Sequence, residues 1–317
     1  AEAAAEGAAE AAAEGAAEAA AEGGASVPQL LAVLVVQSAG LPPELVAAEL
    51  EALRAALAAS PPCPAVHLRL GVQVCDGPGE AVAAEEGLTV LVGGEGGEGG
   101  SGPECLRLEE TLLGLTFDVS PASFFQVNTA AAERLCTLLR SQCGLTPASV
   151  LLDVCCGAGM IGLTMAPAVR HVWGVEMCAP AVVDARRNAA RNGVANASFV
   201  SGRAEDKIES VLRALSAEDK EHLVAVVDPP RAGLHDSVLK TLRACAELKR
   251  LLYVSCHAPS FVKNAVMLCK PPTNAVKGVP FQPVRAFPLD LFPHTEHCEL
   301  IVLLERADPW PPPPPPT

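Results

Sequence analysis

From residue 150 onward, apolar and polar positions follow two alternating periods. Short, mostly apolar runs fall at 150–154, 171–176, 197–200, 224–228 and 251–256, the pattern of strands buried on both faces. The stretches 160–168, 179–192, 205–215, 236–246 and 260–268 between them read as helices. Strict alternation of the two predicts a doubly wound parallel sheet with helices on both faces. The last two apolar runs, around 283–291 and 299–304, have no helix between them and so form an antiparallel hairpin.

The leading part reads differently. An apolar strand at 30–36 leads into a helix at 43–59, followed by strands at 66–74 and 88–92 and a glycine-rich loop at 93–102. Strands at 105–109 and 112–119, joined at a turn, lead to Ser123-Phe124-Phe125-Gln126-Val127-Asn128. A helix over 129–142 follows, with Asn128 or Thr129 as its cap. Residues 1–24 repeat an Ala/Glu/Gly octad whose glutamates recur every four residues, so like charges stack on one face. This segment reads as a solvated tail, and the prolines after Trp310 as a polyproline II extension. The expected organisation is therefore a tail at 1–24, a small α+β subdomain at 25–128, the alternating α/β domain at 129–306 and a proline-rich tail at 307–317.

Composition excludes several classes. No apolar run in the 317 residues approaches the ~20 needed to span a bilayer. The first residues lack the basic stretch and apolar core of a signal peptide, so a cytoplasmic or nuclear protein is expected, without membrane partners. None of the twelve cysteines is spaced Cys-x-x-Cys, which argues against zinc, iron–sulfur or disulfide frameworks, and no metal is expected. The net charge of −14 is uneven: residues 1–110 carry 18 acids and 3 bases, the remainder 19 acids and 20 bases. The second part is thus free to hold basic patches for RNA.

Candidate chemistry gathers at strand ends. Gly157-Ala158-Gly159-Met160-Ile161-Gly162 follows the first strand of the α/β domain, where open sheets bind ligands. Glu176, ending the second strand, is suited to accept hydrogen bonds from two ribose hydroxyls, a feature that a dinucleotide enzyme would share. Asp228-Pro229-Pro230-Arg231 follows another strand, its prolines stiffening a turn that presents Asp228 and Arg231. Arg231 stands where an amine methyltransferase would carry a base-stacking aromatic. Cys256 closes the run 251–256, where the following helix start is expected to lower its thiol pKa. The last strand runs antiparallel, so Glu299 at its start approaches Cys256, Asp228 and the glycine loop. A nucleophile and a base then face a nucleotide-type loop. A parallel sheet with a terminal antiparallel hairpin is the arrangement of class I methyltransferases rather than of ordinary dehydrogenases.

The segments SFFQVN (123–128), LLDVCCGAG (151–159), VVDPPRAGL (226–234), LLYVSC (251–256) and LFPHTEHCELIVLL (291–304) closely resemble the RNA (uracil-5-)methyltransferase family. The resemblance covers about residues 30–306. It departs at His257-Ala258-Pro259, where Asn-Pro is commoner. It implies a class I, Rossmann-like sheet that uses S-adenosylmethionine, and a tRNA substrate modified at its T-loop uridine. It also implies Cys256 as nucleophile and Glu299 as base, with cofactor contacts from Gln126, Glu176, Asp228 and the loop around Cys155, Gly157 and Gly159. In the expected mechanism the Cys256 thiolate adds to uracil C6, Glu299 removes the C5 proton, and Arg231 binds the uracil carbonyls. A monomer is expected. The rival readings are an inactive RNA-binding or chaperone paralogue, an RNA cytosine-5 methyltransferase, which would need a cysteine in the Asp-Pro-Pro turn, and an NAD-dependent oxidoreductase.

Overall fold

The computed structural model describes residues 29–37, 42–59, 67–75, 88–92, 107–120 and 123–306. The expected tails at 1–24 and 307–317 and the glycine-rich loop lie outside the described residues. The chain divides into two compact units. One holds the chain up to Glu109 together with Val119 and Ser120; the other holds 110–118 and the chain from Ser123 on. The hairpin residues 110–118 and the segment 123–128, grouped by sequence with the leading subdomain, thus fall with the α/β unit.

In the first unit, β1 (Gln29–Gln37) pairs in parallel with β2 (His67–Cys75), and β2 pairs antiparallel with β3 (Leu88–Val92). Helix α1 (Pro43–Ala59) opens on a proline, whose missing N–H costs nothing at a first helical position. These elements lie where the apolar pattern puts them. Of the strand expected at 105–109, residues 105 and 106 lie outside the described residues; β4 spans Leu108–Leu112, with 110–112 in the second unit. It turns through Leu113 and Gly114, both at positive φ, into β5 (Leu115–Val119). Gly114 supplies the left-handed backbone that the tight turn needs.

The second unit is built on a seven-stranded sheet. Its strands are β6 (Val150–Val154), β7 (His171–Glu176), β8 (Ala197–Ser201), β9 (Leu223–Val227), β10 (Arg250–Ser255), β11 (Phe281–Leu289) and β12 (Glu299–Arg306), in the order β11-β12-β10-β9-β6-β7-β8. All neighbours pair in parallel except β12, which runs antiparallel to both β10 and β11. This is the class I methyltransferase sheet. The order reverses between β6 and β9, so the carboxyl ends of these two strands border the crevice where open α/β sheets take ligands.

Helices cover both faces. Strands β6, β9 and most of β10 are buried at every position, as strands covered on both sides must be. One face packs Leu152, Val154, Ala225, Val227, Leu251, Tyr253, Val302 and Leu304 against helices at 204–214, 236–244 and 258–269. Helices α2 (Thr129–Cys143) and α3 (Met160–Met165) pack against β10 and β6. The side chain of Asn128 caps α2 by accepting from the Ala131 N–H (3.0 Å). A short helix at Ala217–Glu221, closed by a Ser216/Asp219 capping box, stands between the expected helix at 205–215 and the strand that follows it. The penultimate strand spans Phe281–Leu289 rather than 283–291. Arg306 holds its first residues in place: the guanidinium lies 4.1 Å from the centroid of Phe281 and donates to the carbonyls of Leu248 and Leu242.

Candidate active site

The loop after β6 is shaped by backbone conformation. Cys155, Gly157 and Gly159 all adopt positive φ (65°, 53° and 86°). For Cys155 this is a strained conformation, costing of order 1 kcal/mol or more, of the kind that gathers at functional sites. It is held by the N–H groups of Cys155 and Cys156, which both donate to the Val175 carbonyl (2.8 and 3.2 Å). A Cβ on Gly157 would meet nothing nearer than the Phe124 carbonyl at 4.0 Å, so the loop is open there. At Gly159 a Cβ would lie 3.1 Å from Leu163 and 3.3 Å from Phe199, so that glycine serves packing as well as φ.

Glu176, at the end of β7, is tied to this loop. Its Oε2 accepts from the Gly157 N–H (3.0 Å) and its Oε1 from the Cys178 N–H (2.8 Å). A carboxylate has about four acceptor positions, so two remain for a ligand's hydroxyls. Gln126 is buried with its Oε1 unpartnered, a polar atom that a ligand would satisfy. Phe124 beside it is 68 % exposed, an unusual position for an aromatic. Asn188 fastens the loop from below, donating to the Ala158 carbonyl (3.2 Å) and accepting from the Asp118 N–H (2.7 Å).

The chemical end lies at the same edge. The ladder ends at the Ser255–Leu300 pair, and Cys256 and Glu299 each stand one residue beyond it at the same edge. Val227 pairs with both Val154 and Tyr253, which sets Asp228 level with Cys155 and Val254. By strand parity Asp153 and Glu299 belong to the sheet face opposite Leu152 and Val302, and the charges of Glu299 and Asp228 both bear on the Cys256 thiol. Glu299 is 2 % exposed and its Oε1 has no partner. Burial, then the charge of Asp228, pushes its carboxyl up to about 8. Asp228 itself is pushed up to about 7 by burial and the charge of Glu176.

After Asp228 the chain turns at Pro230–Gly233, closed by the Gly233 N–H donating to the Pro230 carbonyl (2.8 Å). Arg231 is exposed on this turn, and its Nη2 donates to His297 Nε2 (3.4 Å). His297 therefore orients the arginine.

Two expectations need correcting. Strand β10 ends at Ser255, so Cys256 is the first residue beyond it rather than its last. Its thiol pKa is raised, not lowered: burial is the largest cause, followed by the charges of Glu299 and Asp228, with Arg231 opposing them. The helix start is not directed at the sulfur alone, because the His257 N–H donates to Ser255 Oγ (3.2 Å). Burial and two nearby carboxylates outweigh it.

Asp153 is a site residue that the motifs did not single out. It is fully buried, accepts from the Gly162 N–H through Oδ2 (2.9 Å) and leaves Oδ1 unpartnered. Burial, then the charge of Asp228, raises its pKa to about 7. An acid inside the apolar run Leu151-Leu152-Asp153-Val154 was the available signal, since a buried polar group is the informative exception. A cleft of about 520 Å³ lined by Cys143, His222, Arg250 and Glu305 opens at the other edge of the sheet and touches none of these residues. Among the described residues, no group of three or more His, Cys, Asp or Glu side chains is arranged to hold a metal ion.

Residues 108–307 match the family model described as tRNA (Uracil-5-)-methyltransferase. The mouse tRNA (uracil-5-)-methyltransferase homolog A is 50 % identical over 211 residues, which cover 67 % of this chain and 34 % of the mouse protein. The mouse homolog B is 46 % identical over 201 residues, 62 % of this chain and 40 % of that protein. The chain thus spans about a third of the length of the homolog A relative. Among solved structures, the Pyrococcus abyssi tRNA (uracil-54, C5)-methyltransferase in complex with S-adenosyl-L-homocysteine superposes with a TM-score of 0.55 at 26 % identity. That match covers 74 % of this chain and 50 % of the archaeal one.

Proposed function

The chain belongs to the tRNA (uracil-5-)-methyltransferase family, and from that premise we propose that it methylates C5 of a uridine in tRNA, the T-loop uridine, using S-adenosylmethionine. When bound, that cofactor supplies an electrophilic methyl group. The open backbone at Gly157, the free acceptor positions of Glu176 and the unpartnered Gln126 Oε1 suit its ribose and polar groups. Gly159 and Cys155 shape the loop around it, and Asp228 lies beside the reacting centre.

Uracil C5 is a weak nucleophile. In this reading the Cys256 thiolate adds to C6, forming a C–S bond and leaving enolate character at C5. Arg231 donates to the uracil carbonyl oxygens and stabilises the enolate charge. Once C5 carries its methyl group, Glu299 takes the C5 proton, the C6–S bond breaks, and Cys256 departs as thiolate. A carboxylate with a pKa of about 8 is a stronger base than an ordinary glutamate, which suits it to a carbon-bound proton. The uridine must leave its stack to reach a thiol at a sheet edge.

This reading rests above all on one observation: the β10–β12 ladder ends one residue before both Cys256 and the buried Glu299, whose charge bears on the thiol. The test is methyl transfer from labelled S-adenosylmethionine to an unmodified tRNA transcript and to one with the T-loop uridine replaced. Formation of 5-methyluridine in the first transcript alone supports it. No label in either, with the protein folded and the cofactor bound, refutes it.

A further inference from the structure

The Arg231 turn is fastened from behind by one face of the helix Ala258–Cys269. His257, Ser260, Phe261 and Asn264 fall on that face at helical spacing. Asn264 is buried at 6 % exposure and uses both ends of its amide. Its Oδ1 accepts from the Leu234 N–H (2.7 Å) and from the Tyr253 hydroxyl (2.7 Å), while its Nδ2 donates to the Leu234 carbonyl (3.2 Å). It therefore brackets Leu234 as a neighbouring strand would. Ser260 Oγ donates to the Arg231 carbonyl, and His257 Nδ1 meets the same hydroxyl at 2.6 Å. The hydroxyl proton is committed to Arg231, so the His257 Nδ1 must carry the donated proton. Gly233, at φ 80°, leaves no room for a side chain: a Cβ would stand 2.8 Å from Asn264 Oδ1. The same helix begins two residues after Cys256, and Tyr253 lies three residues before it.

We propose that Asn264, assisted by Ser260, is a positioning residue that fastens the Arg231 turn to the helix following Cys256, so that guanidinium and thiol are held as one unit. The inference deepens the reading of Cys256 as nucleophile and rests on it. Asn264 touches neither substrate nor cofactor and acts through Arg231, whose charge favours the thiolate against Glu299 and Asp228. Freeing the turn therefore makes Cys256 less reactive, whereas loosening of the fold would expose it and make it more so.

The experiment is alkylation of the full chain by iodoacetamide between about pH 7 and 10, where the thiolate fraction of a raised thiol changes most. Cys256 is followed by peptide mass spectrometry against the exposed Cys298 as internal reference. In Asn264→Ala, Cys256 is expected to react about threefold slower than in the wild type near pH 8, with its pH midpoint moved upward, because reactivity follows the thiolate fraction. In an Arg231→Gln background the same substitution adds no further slowing. Tyr253→Phe removes only one bond to Asn264 and gives a smaller shift in the same direction, which keeps the test available if Asn264→Ala misfolds. An unchanged or faster rate in the variants overturns the proposal, as does full additivity with Arg231→Gln. The readout needs no turnover, so failure of methyl transfer by the wild type sinks the functional reading separately.

Discussion

Glu299 and Cys256 stand at the same edge, each one residue past the last pair of the β10–β12 ladder, Ser255–Leu300, and burial, followed by the charge of Glu299, raises the pKa of the thiol. At rest the site therefore holds both groups mostly protonated at neutral pH. In the proposed reaction the thiol must ionise to attack, and the carboxyl must ionise to accept a proton from carbon.

That relationship sets the pH dependence. Both groups have raised pKa values, so kcat/KM should increase as pH rises through about 8, the value for Glu299, with no acid-side plateau near pH ~6. Arg231→Gln removes the positive charge that favours the thiolate and should move the thiol's part of this limb to still higher pH. A pH–rate profile on tRNA of the wild type and this variant checks both.

Stability should respond in the opposite direction. A carboxyl whose folded pKa lies above its unfolded value binds more protons when folded, so folding stability falls as pH rises between about 4.5 and 8. Glu299→Gln removes that dependence. Its melting temperature is expected to match the wild type near pH ~5 and to exceed it near pH ~8.5, measured by thermal denaturation at both values.

Glu176 supports the loop and, in the proposed complex, the ribose. Its removal by Glu176→Ala frees the N–H groups of Gly157 and Cys178 and takes away the acceptor for two hydroxyls. Hydrogen bonds to a charged group contribute about 1.5–3 kcal/mol each, so losing both is expected to weaken S-adenosylmethionine binding by at least roughly 100-fold by titration calorimetry. Glu176→Gln, which keeps an acceptor but not the charge, should lose less.

Gly159→Ala tests the loop conformation itself. An alanine at φ 86° is strained by about 1–2 kcal/mol and crowds Leu163 and Phe199. Lower cofactor affinity and a lower melting temperature should appear together. Gly157→Ala, also at positive φ but with its Cβ in open space, carries the backbone strain without the crowding, so it should lower the melting temperature less than Gly159→Ala while still lowering cofactor affinity.

Much of this was legible in the sequence because apolar continuity reports burial directly. Leu151-Leu152-Asp153-Val154 and Val224-Ala225-Val226-Val227 are buried throughout, and only strands covered on both faces read that way. The antiparallel last strand followed from the lack of a helix before Glu299, and it brought Glu299 to the correct edge. What stayed hidden depended on contacts between distant segments. A helix start after Cys256 is visible locally, but the carboxylates of Asp228 and Glu299 that override it converge only in three dimensions. Asn264 looks like an ordinary helical polar residue until Leu234 and Tyr253 close around it. The extra helix at Ala217–Glu221 carries no buried residue, so hydrophobic periodicity had nothing to detect.

The most direct measurement of the proposed nucleophile–base pair begins from Cys256→Ala. That variant should abolish turnover while leaving S-adenosylmethionine affinity within about twofold, since the thiol acts on the uracil and not on the cofactor. Glu299→Gln is then incubated with unmodified tRNA and methyl-labelled S-adenosylmethionine and resolved on a denaturing gel. With the C5 proton left in place, Cys256 cannot be expelled. The expected result is a slower-migrating protein–RNA band that carries the methyl label and is absent from the Cys256→Ala/Glu299→Gln double variant. Wild-type turnover by Glu299→Gln, or a labelled band that persists without Cys256, would contradict the assignment of this pair as base and nucleophile.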